Sequence, residues 1–179
     1  GLIIGGNATT EGHADRTIVN GGRIGGATTA TDFTKGISVF GATDVKLNGV
    51  KVLGSTATAK GLEFAAGGDT TNGINQELNN CIVKIVTGGA STKCVTVAAS
   101  QLDGIINGGI FETDSGATAI EITAEGWTLH GNGLAVNTDT VGAGAQIDLV
   151  TATTLNVGLF YVKDIGAATA ATLFDEANI

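Results

Sequence analysis

Proline is missing altogether from this 179-residue chain, and so is methionine. Proline deletes a ladder hydrogen bond wherever it sits between two paired neighbours, so its absence suits strands flanked on both sides. Aromatic residues make up 4% and charged residues 15% of the chain, and strong helix formers are scarce, which argues against a helical bundle. Nine basic residues stand against 17 acidic ones, a net charge of −8, and they are scattered without forming a patch. Nucleic acid and anionic membrane surfaces both need a basic face, so neither is expected as a partner. No apolar run approaches the ~18 residues of a membrane helix, and nothing at the start reads as a secretory leader. The chain opens on Gly1 rather than Met, so a leader already removed would leave no trace. Cys81 and Cys94 are the only cysteines, too few for a disulfide framework and without partners at metal-ligand spacing. Asn7-Ala8-Thr9 is a formal glycosylation sequon, read as coincidence in a Thr-rich chain.

What the chain has is 29 glycines, abundant Ala and Thr, and a mean hydropathy of +0.28, which together exclude a disordered polymer. The length fits one domain with a sizeable core. Alternating apolar triplets recur along it: Ile37-Ser38-Val39, Leu62-Glu63-Phe64, Val95-Thr96-Val97, Ile120-Glu121-Ile122 and Ile147-Asp148-Leu149. Their starts lie 25, 33, 25 and 27 residues apart, and Leu173 opens a further unit. The long interval is about eight residues in excess, and the Gly- and Thr-rich stretch near 67–74 reads as an inserted loop.

The register inside a unit recurs as well. After Ile37 come Val39, Val45, Leu47, Val50 and Val52; after Ile147, at the same offsets, come Leu149, Leu155, Val157, Phe160 and Val162. With eight residues removed, the unit at Leu62 gives Phe64, Leu78, Asn80, Val83 and Ile85. Each pair has period two, a short strand with one buried face. Asn48-Gly49 and Asn132-Gly133 supply positive φ for sharp corners. The pattern predicts an all-β, single-domain parallel β-helix, about six to seven circuits of three short strands each. Residues 1–36 form an irregular cap or opening circuit, with Leu2, Ile4, Ile18, Val19 and Ile24 as its apolar set. Residues 37–172 form the regular circuits, and 173–179 a truncated last one. An antiparallel sandwich is the rival, but it has no reason to restore six apolar offsets every ~26 residues.

The strand triplets and small-residue corners over residues 37 to 174 resemble the right-handed parallel β-helix superfamily of pectate lyases, polygalacturonases and bacteriophage tailspikes. The likeness is architectural and assigns no function. Within that superfamily the Gly-, Ala- and Thr-rich, cation-poor composition is similar to phage tail fibres, tailspikes and head-decoration proteins. That resemblance implies a right-handed coil and a homotrimer.

Chemistry in such a coil would lie on an outward column. The column at the middle of each triplet reads Ser38, Glu63, Thr96, Glu121 and Asp148. Glu121 and Asp148 fall on neighbouring circuits, ~4.8 Å apart by backbone, close enough to share a proton, hold a cation or act as an acid–base pair on a glycoside. Acidic residues on a solvated strand face are the plainer reading, because the polygalacturonase pattern needs further aspartates, His and Lys. A pectate-lyase site needs calcium-binding aspartates beside an arginine, whereas Arg16 and Arg23 both precede the regular units. His13 and His130 have no triad partner at recognisable spacing. The glycines around Arg23 lack the Lys and helix of a phosphate loop and read as corners. Asp69, Asp114 and Asp139 lie in Thr/Gly loops with oxygen ligands suited to calcium but in no calcium-binding pattern, so no cofactor is expected. Trp127 is expected partly buried. Tyr161 is expected to point outward in one column with Lys51 and Lys84, as a contact surface for a subunit or a glycan. Cys81, placed at a corner, and Cys94 are expected to remain unbonded.

These residues point first to a non-enzymatic structural protein of a phage particle, a capsid decoration or a fibre or tailspike subunit, located in the virion. Homo-oligomers and other virion proteins are its expected partners. A carbohydrate-active enzyme or glycan-binding module is the second reading, and a bacterial surface adhesin or extracellular fibre subunit the third.

Overall fold

The computed structural model describes residues 1–5, 14–25, 33–54, 60–66, 73–85, 92–113, 118–138, 147–149, 160–162 and 174–176, with side chains described up to residue 130 and at Ile147. Among these residues the chain is all β, without a helix, and the strand pairings are all parallel. One sheet takes β1 (Leu2–Gly5), β4 (Lys35–Phe40), β7 (Lys60–Ala65), β9 (Lys93–Val97), β11 (Ile120–Ile122), β13 (Ile147–Leu149) and β15 (Phe174–Glu176) in that order. The other runs β2 (Ile18–Asn20), β5 (Lys46–Asn48), β8 (Gly73–Ile85), β10 (Gln101–Thr113), β12 (Thr128–Thr138) and β14 (Phe160–Val162). Beside its first strands lie β3 (Arg23–Ile24) and β6 (Lys51–Gly54), β6 also pairing β8. The chain thus visits the two sheets alternately and returns to each one strand further along.

The apolar triplets align as their spacing requires. Val39 opposes Phe64, Phe64 opposes Val97, Val97 opposes Ile122, and Ile122 opposes Leu149. Ile37, Leu62, Val95, Ile120 and Ile147 form the companion file, and all five are buried. In the second sheet Val19, Leu47, Leu78, Ile106 and Leu129 make another file. Full burial of each such aliphatic contributes about 1.5–3 kcal/mol, and stacking lets each side chain meet its counterparts on both sides. The opening residues join the same ladders: Leu2 pairs with Ile37, Ile18 with Lys46 and Arg23 with Lys51.

Several expectations are corrected. The eight extra residues of the long unit are not one insertion. Leu78 lies 14 residues beyond Phe64 where Leu47 lies eight beyond Val39, and Val95 lies 12 beyond Val83 where Leu62 lies ten beyond Val52. Six residues therefore enter before β8 and two after it. This moves Cys81 from the corner into the buried file beside Val50, and turns Asn80 out of the interior to become the corner. The second and third strands do not stay separate either: β8 and β10 run 13 residues each, straight through the corner between them. Phe174, not Leu173, faces Ile147. Trp127 is fully buried rather than partly so, because its inward neighbour in β10 is Gly104, where even a Cβ would stand 2.5 Å from the indole.

Corners repeat with the same backbone device. Arg16, Asp44, Asn75, Asp103 and Gly126 occupy one file and all have positive φ. Gly21, Gly49, Asn80 and Gly108 occupy a second file and do the same. In each file the amide of one corner donates to the carbonyl preceding the next, as from Asp44 to Ile74 (2.9 Å) and from Gly49 to Asn79 (2.8 Å). Gly, Asn and Asp are the residues that adopt this conformation at least cost. Just before the second file stands an asparagine ladder: Asn48 donates to Asn20 (2.8 Å), Asn79 to Asn48 (2.8 Å) and Asn107 to Asn79 (3.4 Å).

Candidate functional site

The outward column of the first sheet has the predicted register, with Ser38, Glu63, Thr96, Glu121 and Asp148 in succession. It is not an exposed acidic stripe. Ser38 and Glu63 are buried, at 2% and 5% exposure. The reason lies in a second file whose members look like scattered cations in the sequence: Lys35, Lys60 and Lys93 stack opposite one another two residues upstream of the triplets. Lys35 and Lys60 both reach Glu63, at 2.6 and 2.9 Å, and Lys93 reaches Glu121 at 3.3 Å. Intervals of 25 and 33 residues separate these lysines in sequence, the same intervals as their triplets, so the signal is present but hidden by distance along the chain.

The electrostatics follow. Burial pushes the Glu63 carboxyl up, but hydrogen bonds and charge from Lys35 and Lys60 outweigh it and hold the group below its ordinary value. A carboxylate depressed in the folded state stabilises above its unfolded pKa, and that contribution is lost as pH falls through the folded pKa. Glu63→Gln is therefore expected to flatten the acid limb of a plot of Tm against pH while lowering Tm at neutral pH. An unchanged acid limb would show that the lysine pair does not stabilise the fold.

Glu121 and Asp148 are backbone neighbours across β11 and β13, as expected, though the Asp148 side chain lies outside the described set. With Lys93 as its partner, Glu121 is a member of an ion pair rather than a free acid or base. The expected contact column separates. Lys51 shares a file with Ile82, Ile110, Ala135 and Tyr161, whereas Lys84 stands two residues further on, between Leu53 and Glu112. The two residues that enter after β8 rather than before it account for the difference. Lys84 pairs with Glu112 across the strands at 2.9 Å. His13, Asp69, Asp114 and Asp139 and the side chain of Tyr161 lie outside the described residues. His130 opposes Asn107 in β12.

Both cysteines are free and buried, as expected of an unbonded pair. Burial raises the Cys81 thiol to about 11 and pushes Cys94 higher still, so both stay protonated and inert at neutral pH.

A further feature has no counterpart in the sequence pattern. A groove of about 590 Å³ follows the first left-handed file on the outside of the second sheet. Its walls are the corner residues Arg16, Asp44, Asn75 and Asp103 and the adjoining strand positions Ile18, Lys46, Glu77, Ile105 and Thr128. Lys46 and Glu77 oppose one another and form an ion pair at 2.7 Å, which holds the Glu77 carboxyl below its ordinary range. Asn75 donates to Asp44 at 3.1 Å. The corners at Arg16, Asp44 and Asp103 are not glycines, so no turn signal marks them in the sequence. Among the described residues no group of three or more His, Cys, Asp or Glu is arranged to hold a metal ion. No family model, no curated protein and no solved structure matches the chain.

Proposed function

We propose that this chain is a parallel β-helix and that it serves as a structural element of a virus particle, as a capsid decoration or a segment of a fibre or tailspike. The observation that carries the reading is the unbroken register of the two parallel ladders, in which apolar files, corner files and an asparagine ladder all advance one strand at a time. Each of these features works by repetition, so the unit is stable only as part of a stack, which is how a rod or spike is built. Proline-free, Gly- and Thr-rich, acidic composition supports the viral setting. The pairing of Glu63 and Glu121 with lysines supports structural use of the column that an enzyme of this shape would have used for catalysis.

A parallel ladder has two edges with unsatisfied amides and carbonyls, and self-association is the common way of covering such apolar and polar edges. The expected result is a stable homo-oligomer, a trimer, by light scattering at micromolar concentration. A monomer under those conditions would count heavily against the reading. A panel of polysaccharides assayed for new reducing ends or unsaturated products is expected to give no turnover. Turnover abolished by Glu121→Gln would move the assignment to a carbohydrate-active enzyme.

A further inference from the structure

The groove along the first corner file has a chemistry that the structural role does not require. We propose that it binds a linear glycan free of acidic groups, laid lengthwise across successive corners. This site goes beyond the structural assignment and does not depend on it.

Three properties of the groove select that ligand. The first is its repeat. Corner residues from Arg16 to Gly126 recur once per strand, ~4.8 Å apart, so five of them span roughly 19 Å. A hexopyranose in a linear chain advances by about the same distance, so successive sugars meet successive corners in step. An extended peptide presents side chains to one face every ~6.6–6.8 Å and falls out of step within two residues.

The second property is the mix of walls. Asp44, Asn75 and Asp103 offer acceptors and an amide donor, Arg16 and Thr128 add donors, and Ile18 and Ile105 give apolar ledges beside them. Ile18 is 57% exposed, a large aliphatic left in water on this wall. Alternating polar and apolar surface of this kind matches a sugar ring, with hydroxyls at its rim and C–H groups on its faces. The third is charge. Lys46 is taken up by Glu77, while Asp44 and Asp103 form no ion pair among the described residues. Two such carboxylates within one groove repel uronic or sialic acids and accept neutral or amino sugars.

The corner geometry also supplies clean variants. Gly126 already occupies the file, so Asp44→Gly and Asp103→Gly remove the side chains without disturbing a backbone that needs positive φ. Titration calorimetry of the full chain would compare neutral β-linked glucose oligomers, N-acetylhexosamine oligomers and oligogalacturonate. Saturable binding to a neutral or amino-sugar oligomer is expected, strengthening up to about four residues and then levelling off. Each glycine variant is expected to weaken it at least tenfold, and Lys51→Ala, on a different outward file, to leave it unchanged. If the glycine variants fail to fold, Asp44→Asn with Asp103→Asn keeps the left-handed preference and removes the charge, and oligogalacturonate is then expected to gain affinity. Absence of binding to every neutral and amino-sugar oligomer, preference of the unaltered protein for the acidic one, or equal loss in Lys51→Ala would each overturn the proposal. None of these results bears on the oligomeric state.

Discussion

Ile122→Asp is expected to unfold the protein, whereas Glu121→Ala, its immediate neighbour, is expected to cost about 1 kcal/mol or less. Ile122 is fully buried and lies between Val97 and Leu149 in an apolar file. A carboxylate there has no cation and no donor, and leaving a charge unpaired in that position costs on the order of 4–5 kcal/mol, a large part of the roughly 5–15 kcal/mol that holds a domain together. Glu121 faces the other way, toward Lys93, and the pair is partly open to water, so its loss is screened. Denaturant midpoints of the two variants give the comparison. Equal shifts would contradict the assignment of faces on which both sheets depend.

A second large effect is expected at Gly104. The inward file at this level reads Val45, Gln76, Gly104 and Trp127, so the largest side chain follows the absence of one. Trp127 cannot retreat freely: its indole N–H donates to the Gln101 carbonyl at 2.6 Å, and its ring meets the edge of Phe64 at 5.7 Å between centroids. Gly104→Ala puts a methyl group 2.5 to 2.6 Å from the nearest atoms of that ring and should cost about 1–3 kcal/mol, and Gly104→Val more. Trp127→Ala opens a cavity and should cost about 3–5 kcal/mol. The informative combination is Gly104→Ala with Trp127→Leu. The smaller side chain relieves the clash, so the double variant should be clearly more stable than the sum of the single losses. Simple additivity would mean that glycine is required there for some reason other than room for the indole.

How far the sequence foretells this structure depends on whether a signal is local or distant. Triplets such as Ile37-Ser38-Val39 and Ile120-Glu121-Ile122 carry their strand character in three adjacent residues, and their fixed interval is enough to fix the pairing of the first sheet. The second sheet is harder, because a loop of unknown length precedes β8. Assigning all eight extra residues to that loop, when two belong after β8, shifts Asn80, Cys81 and Lys84 onto the wrong files. Lys35, Lys60 and Lys93 are visible as residues but not as a ladder, since ion pairing between units has no signature within any one unit. The groove is least legible. Its corners are Arg16, Asp44, Asn75 and Asp103, and the left-handed backbone at an arginine is written nowhere in the local sequence.

The two files of left-handed corners also constrain how this gene can change. At nine described positions the backbone holds a conformation that costs most L-residues about 1–2 kcal/mol, and eight of the nine are Gly, Asn or Asp. Single-nucleotide changes that exchange Asp for Asn or Gly stay within this short alphabet, while changes to valine, isoleucine or threonine leave it. Neutral drift at the corners should therefore be nearly confined to three codon families, and a library of random missense variants sorted for retained fold would display the outline of the corners as two sets of depleted positions spaced one unit apart.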